Sequence, residues 1–205
     1  MRRALTLLGF TTLLLAAGCG DDGDGGDDTI ERPPEELNLL RLAADAPPLE
    51  NASVSFYARR GDSREAKLYF LNESGERGEE YVRLQIDSNT LLSLPDGTPI
   101  AVGDSVLITL TAVDPARILF QFEPEGLQFN PLDPAELHIQ YDEADKDFDD
   151  DGDEDAEDDD IELQLGIWRQ ATVGAPFIRL GSALFEDLEE IEAELTGFSR
   201  YAIAY

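Results

Sequence analysis

Residues 118–141, ILFQFEPEGLQFNPLDPAELHIQY, read as a strand, a tight corner, a short apolar arm, a second Pro-braced corner and another strand. Ile118, Phe120 and Phe122 alternate with Leu119 and Gln121; Leu137, Ile139 and Tyr141 alternate with Glu136, His138 and Gln140. Apolar side chains at every second position mark strands with one buried face. Between them Pro124-Glu125-Gly126 is a turn signal, because proline presets φ and glycine accepts positive φ at no steric cost. Phe129, Pro131 and Pro134 set the approach to the second strand. The stretch therefore reads as a hairpin-like unit onto which the remaining strands add.

The same period recurs on both sides of it. Further strands are expected at 37–42, 53–58, 66–71, 80–86, 105–113, 161–168, 177–180, 190–195 and 200–205. Val106, Ile108 and Leu110 oppose Ser105, Thr109 and Thr111; Ile191, Ala193 and Leu195 oppose glutamates 190, 192 and 194. Residues 186–191 have the composition of a single helical turn, but the alternation that follows favours strand. Arg60-Gly61-Asp62, Glu73-Ser74-Gly75, Pro95-Asp96-Gly97 and Val102-Gly103-Asp104 punctuate the strands as turns. No repeat of fixed period, no heptad and no helix longer than two turns emerges. The predicted class is all-β: an antiparallel β-sandwich or Greek-key barrel with an acidic loop insertion.

The amino-terminal residues carry a targeting signal. Arg2 and Arg3 precede a short apolar run, and Ala16-Ala17-Gly18-Cys19 offers small residues at a cleavage point. This resembles the lipobox of bacterial lipoproteins, which implies a signal peptide over 1–18, diacylglycerol on the Cys19 thiol and acylation of the new amino terminus. Several acyl chains make membrane attachment stable where one would be marginal. Cys19 is the only cysteine, so no intramolecular disulfide forms. Residues 19–36, rich in Asp and Gly and closing on Pro33-Pro34, are expected to be an extended tether. Gly20 after the cysteine matches the outer-membrane variant of the enterobacterial sorting pattern. Residues 37–205 then form one β-domain in a bacterial cell envelope.

Between the strands lies an acidic insert, 145–160, with twelve acidic residues in sixteen. Asp147, Asp149 and Asp151 precede Gly152 as D-x-D-x-D-G, and Asp153, Asp155 and Asp158 follow. Alternate carboxylates can curl around one ion, with glycine at the sharp turn, so the six aspartates are candidate calcium ligands. Three features depart from the pattern: Asp158 stands where a bidentate glutamate is usual, Glu154 where an apolar residue is usual, and no flanking amphipathic helix is expected. The alternative is a solvated acidic loop protruding from the domain.

Phe122-Glu-Pro-Glu-Gly-Leu-Gln-Phe129, followed by Pro134-Ala-Glu-Leu-His-Ile-Gln-Tyr141, resembles the centre of the ZU-five domain of zonula occludens proteins, Unc-five netrin receptors and ankyrins. The strand ending at Trp168 and the closing Phe198-Ser199-Arg200-Tyr201-Ala202-Ile203 resemble its later strands, so the likeness covers about 105–205. It implies a sandwich used for protein–protein contact, with no enzymatic activity. Some relatives cleave their own backbone at His-Phe-Ser. Here the tripeptide is Gly197-Phe198-Ser199, and a serine without an adjacent base is a poor nucleophile, so cleavage is not expected.

His138, the only histidine, is expected on the solvent face of its strand. One histidine and no free thiol leave neither a catalytic triad nor a His-rich zinc site. Trp168, Tyr141 and Tyr201 are expected in the core rather than on a sugar-binding platform. The formal net charge of −30 disfavours nucleic acid as a partner. Three functions stay open: a lipid-anchored contact module with an envelope protein partner and a calcium loop, a carbohydrate or small-molecule binder, and, least favoured, an envelope hydrolase.

Overall fold

The computed structural model describes residues 29–205. The signal peptide, Cys19 and most of the tether lie outside the described residues. Among the described residues fourteen strands follow in chain order. The first seven are β1 (Glu31–Arg32), β2 (Ser53–Arg59), β3 (Arg64–Leu71), β4 (Arg77–Ile86), β5 (Leu91–Ser93), β6 (Ser105–Ala112) and β7 (Leu119–Glu123). β8 (Gln128–Phe129) and β9 (Ala135–Gln140) precede a helix, α1 (Ala156–Glu162). The chain ends with β10 (Gly166–Gln170), β11 (Phe177–Arg179), β12 (Ser182–Phe185), β13 (Glu190–Leu195) and β14 (Arg200–Ala204).

They make two large antiparallel sheets. One runs β1-β11-β10-β14-β7-β6-β2 and the other β12-β13-β9-β4-β3; β5 and β8 pair separately. Inner side chains of both large sheets, Ile108, Leu110, Phe120, Phe122 and Ile203 from the first and Leu68, Leu84, Leu137, Ile139 and Ile191 from the second, merge into one buried core. The all-β sandwich expected from the alternation is therefore what forms. Aromatic rings link the layers: Phe70 to Tyr81 at 4.6 Å, Tyr81 to Phe120 at 5.1 Å, and Phe122 to Tyr201 at 5.5 Å between centroids.

The 118–141 stretch is not a hairpin. β7 pairs with β14 and β6, whereas β9 pairs with β13 and β4 in the opposite sheet. The segment is an arch across the sandwich, and its apolar arm explains why: Leu127 and Phe129 are buried as it crosses. A chain that must drop apolar side chains into the core between its two strands cannot close them in one plane.

Leu119 also departs from simple alternation. It faces away from the main core yet is only 7% exposed. Registers Leu119↔Ala202 and Ala202↔Trp168 put the three in one row, and Leu37, Leu39 and Phe177 cover them. Trp168 Nε1 donates to the Ala204 carbonyl at 3.0 Å. Trp168, Tyr141 and Tyr201 are all buried, as expected. Leu119→Ala should cost about 2–3 kcal/mol in a denaturant melt, the usual range for a buried leucine, where strand alternation alone assigns it to the surface.

Four other expectations need correction. Residues 37–42 make only isolated bridges, Leu39 to Ala204, Arg41 to Arg117 and Leu42 to Ala144, instead of a strand. The end of the tether belongs to the fold, since β1 pairs with β11 and Pro34–Glu36 form a 3-10 turn. Residues 161–168 are half helix and turn, with strand only from Gly166, because a cap at Asp155 starts α1 upstream. Residues 186–191 are divided between a 3-10 turn, Glu186–Leu188, and the start of β13. β5 and β12 escaped detection, being too short to show a period.

Candidate metal centres

The link from β9 to β10 carries the acidic insert, and it does not simply protrude. Phe148, the one aromatic among the acids, is 5% exposed and packs on Tyr205, 6.1 Å between ring centroids. The Tyr205 hydroxyl donates to the Phe148 carbonyl. Arg41 pairs with Asp150 and, at 3.6 Å, with Asp145. Lys146 sits 4.5 Å over the Tyr141 ring and 2.8 Å from Glu189. The first half of the insert is thus held on the sandwich; the solvated-loop picture fails there because Phe148 buries its ring.

Within the insert, carboxylates fold the backbone. Asp147 accepts from the amides of Asp151 and Gly152, both at 3.0 Å, and Asp149 from Asp151 at 3.1 Å. Gly152 has φ +100, a conformation that favours glycine. Asp155 caps α1, accepting from Glu157 at 2.7 Å, and Asp158 reciprocates by accepting from the Asp155 amide at 3.0 Å. This is a capping box. Asp158 also accepts from Phe148 at 2.6 Å and Asp149 at 3.3 Å, so one carboxylate ties the beginning of the loop to its end.

Of the six candidate calcium ligands, three converge. Oxygens of Asp147, Asp149 and Asp158 lie within 4.8 Å of one another. Two oxygens on the same calcium, with bonds of about 2.5 Å, sit at most about 5 Å apart, so one ion fits between them. Each carboxylate offers about four lone-pair sites; Asp158 uses three on amides, Asp147 two and Asp149 one, which leaves acceptors for an ion. Asp151, Asp153 and Asp155 stand outside the convergent set. Asp151 accepts from the Asp153 amide at 3.2 Å and Asp155 serves the helix. A short helix does begin inside the loop and carries Asp158, but α1 is mostly acidic with Asp158 as its one buried residue, so it is not an amphipathic flanking helix.

The charges reinforce this. Partial desolvation, then the neighbouring charges of Asp151, Asp158 and Asp147, hold Asp149 above the usual carboxylate range against the pull of the Asp151 amide. Asp153 is raised by its hydrogen bond with Asp151 and by the charges of Asp151 and Asp155. Asp158 is lowered, first by the Asp155 amide and further by those of Phe148 and Asp149. A cation held by Asp147, Asp149 and Asp158 would offset the like charges that crowd Asp149.

Just before the insert, Asp142 is pushed up to about 6, mainly by burial and then by a hydrogen bond shared with Glu79. A folded-state value above the ordinary one makes its contribution full below about pH 4 and lost as pH rises through about 6. Asp142→Asn should therefore raise the melting temperature at pH 7 in chelator and leave it unchanged near pH 3.

His138 is not solvent-facing. It lies on the outer face of the β9 sheet, as alternation requires, but is 8% exposed, with Glu190 beside it at 7%. Sequence reading missed this because the covering groups come from β13, fifty residues away.

At the closing tripeptide, Ser199 is buried and its hydroxyl has no hydrogen-bond partner. A Cβ on Gly197 would stand 2.8 Å from the Leu127 carbonyl oxygen, so no side chain, and no proton-accepting one, fits there. Gly197→Ala should cost about 1–3 kcal/mol in a denaturant melt, the usual range for overpacking against a fixed backbone.

Among the described residues no helix is long and apolar enough to cross a membrane. Fold and loop together define an antiparallel β-sandwich with an acidic strand–loop–helix insert. No family model, no curated protein and no solved structure matches the chain.

Proposed function

We propose that this chain is a lipid-tethered, non-catalytic β-sandwich of a bacterial envelope, which works through contact with an envelope protein and closes its acidic loop on one calcium ion. The convergence of Asp147, Asp149 and Asp158 from the two ends of a twelve-residue loop carries the calcium part. Ala16-Ala17-Gly18-Cys19 supports the tether, and the ZU-five resemblance of 105–205 supports contact as the role. Gly197 in place of a base, with one histidine in the whole chain, supports a non-catalytic reading. Calcium affinities of extracellular modules, Kd about 10⁻⁴–10⁻³ M, suit such a loop.

Thermal melting of the full chain tests the calcium step. Free calcium tenfold above Kd stabilises by about 1.4 kcal/mol, a rise of about 3–6 °C for a chain of this size. Asp147→Asn together with Asp149→Asn keeps one acceptor oxygen on each side chain and removes two charges, so the rise should vanish. An equal rise with magnesium, or one that survives the double substitution, contradicts the reading.

A further inference from the structure

On the outer face of the β12-β13-β9-β4-β3 sheet, we infer that His138, Glu190 and Glu192 form a second and chemically different metal site, for a divalent transition ion of the zinc class. β9 and β13 are antiparallel neighbours with His138 opposite Glu192, and Glu190 is the diagonal neighbour two residues earlier. His138 Nδ1 lies 2.7 Å from Glu192 Oε1 and 3.3 Å from Glu190 Oε1. The three ligand atoms fall within 4.8 Å of one another. In a tetrahedral zinc site, bonds of about 2.0–2.2 Å separate neighbouring nitrogen and oxygen ligands by about 3.3 Å. Glu190 already stands at that separation. Glu192, whose side chain is 37% exposed, is free to draw back by about half an ångström to reach it.

The surroundings match what such a site needs. Gln140 Nε2 donates to Oε2 of Glu190, which leaves Oε1 turned to the histidine. Glu136 Oε2 lies 3.7 Å from Nε2, on the far side of the ring. The Glu192 and Glu190 oxygens accept from an Nδ1 proton, and a metal bound at Nδ1 takes that proton's place and releases it. Glu136, Gly181, Ala183 and Glu194 line a recess over the site. A Cβ on Gly181 would meet nothing within 4 Å, so the recess has room for an exchangeable ligand.

A plain ion pair accounts for less of this. One imidazole carries at most a single positive charge, yet three carboxylates approach it, two of them at the same nitrogen. Arg83, opposite His138 on β4, directs its guanidinium to Glu80 at 3.4 Å, and Lys67 beyond it takes Glu80 at 2.8 Å. Neither forms an ion pair with Glu136, Glu190 or Glu192. An imidazole donor with two carboxylates selects zinc, copper, nickel or cobalt over calcium, which prefers oxygen alone. The site is thus independent of the acidic loop and of the calcium reading.

Cobalt(II) titration of the full chain in excess calcium, read by visible absorption, tests it. One cobalt per chain should bind, with ligand-field bands that zinc abolishes. His138→Gln and Glu192→Gln should each weaken binding at least about tenfold, the scale on which even supporting residues act. Asp147→Asn with Asp149→Asn should leave it unchanged. Glu192 is partly exposed, so its variant should fold even if His138→Gln does not. Cobalt that calcium displaces, or binding that survives Glu192→Gln, overturns the proposal.

Discussion

Phe122→Ala is expected to destabilise the domain by about 3–5 kcal/mol, the range for a large aromatic removed from a packed core. Phe122 is fully buried and touches rings from two other parts of the chain, Phe198 at 5.2 Å and Tyr201 at 5.5 Å. Phe129 from the crossing arm reaches the same Phe198 at 4.8 Å. The cavity left by the substitution would therefore open where the arch, the corner before β14 and β14 itself meet, and none of them can collapse into it without moving a paired strand. Urea unfolding followed by tryptophan emission reads the loss, since Trp168 is buried on the same sheet. A loss below about 1 kcal/mol would mean the three segments do not pack as described.

Asp158→Ala should be nearly as costly, at about 2–4 kcal/mol in the presence of chelator. The substitution removes the N3 half of the capping box, the acceptor for the Asp155 amide, and with it the acceptor for the buried Phe148 amide; each orphaned amide costs about 1–3 kcal/mol. Asp158→Asn keeps acceptor oxygen and should lose less. The amides hold the carboxyl below its ordinary value, so its contribution is present above about pH 4 and is lost as pH falls through the depressed value. The wild-type chain should consequently lose stability on acidification in a step that Asp158→Ala lacks. Parallel pH profiles of melting temperature for the two chains would show it.

How far residue patterns alone reach can be read from particular positions. Strand alternation located β2, β3, β4, β6, β9 and β13 because each turns one apolar face to the core and a polar face away from it. It failed for Leu119, which is covered on its second face by Leu37 and Leu39, residues about eighty positions away. It failed likewise for His138, hidden by Glu190 and Glu192. Both errors have one cause: a local period reports which face a side chain takes, and only distant chain decides whether that face is wet. The D-x-D-x-D-G spacing was legible, and Asp147 and Asp149 do converge. The choice of Asp158 over Asp151, Asp153 and Asp155 as the third member depended on α1, which the acidic composition concealed. A capping pair at Asp155 and Asp158 was visible in retrospect as an aspartate three residues before another.

The hairpin reading of 118–141 fails for a related reason, and the arch that replaces it places everything else: the insert at one end of β9, His138 on its outer face, and Phe122 between the sheets. Interstrand nuclear Overhauser contacts between backbone protons test it most directly. The arch predicts contacts pairing Phe120 with Tyr201 and Ile139 with Ile191, following the registers of β7 with β14 and β9 with β13. Contacts running instead between 119–123 and 135–140, as in a single hairpin, would contradict it.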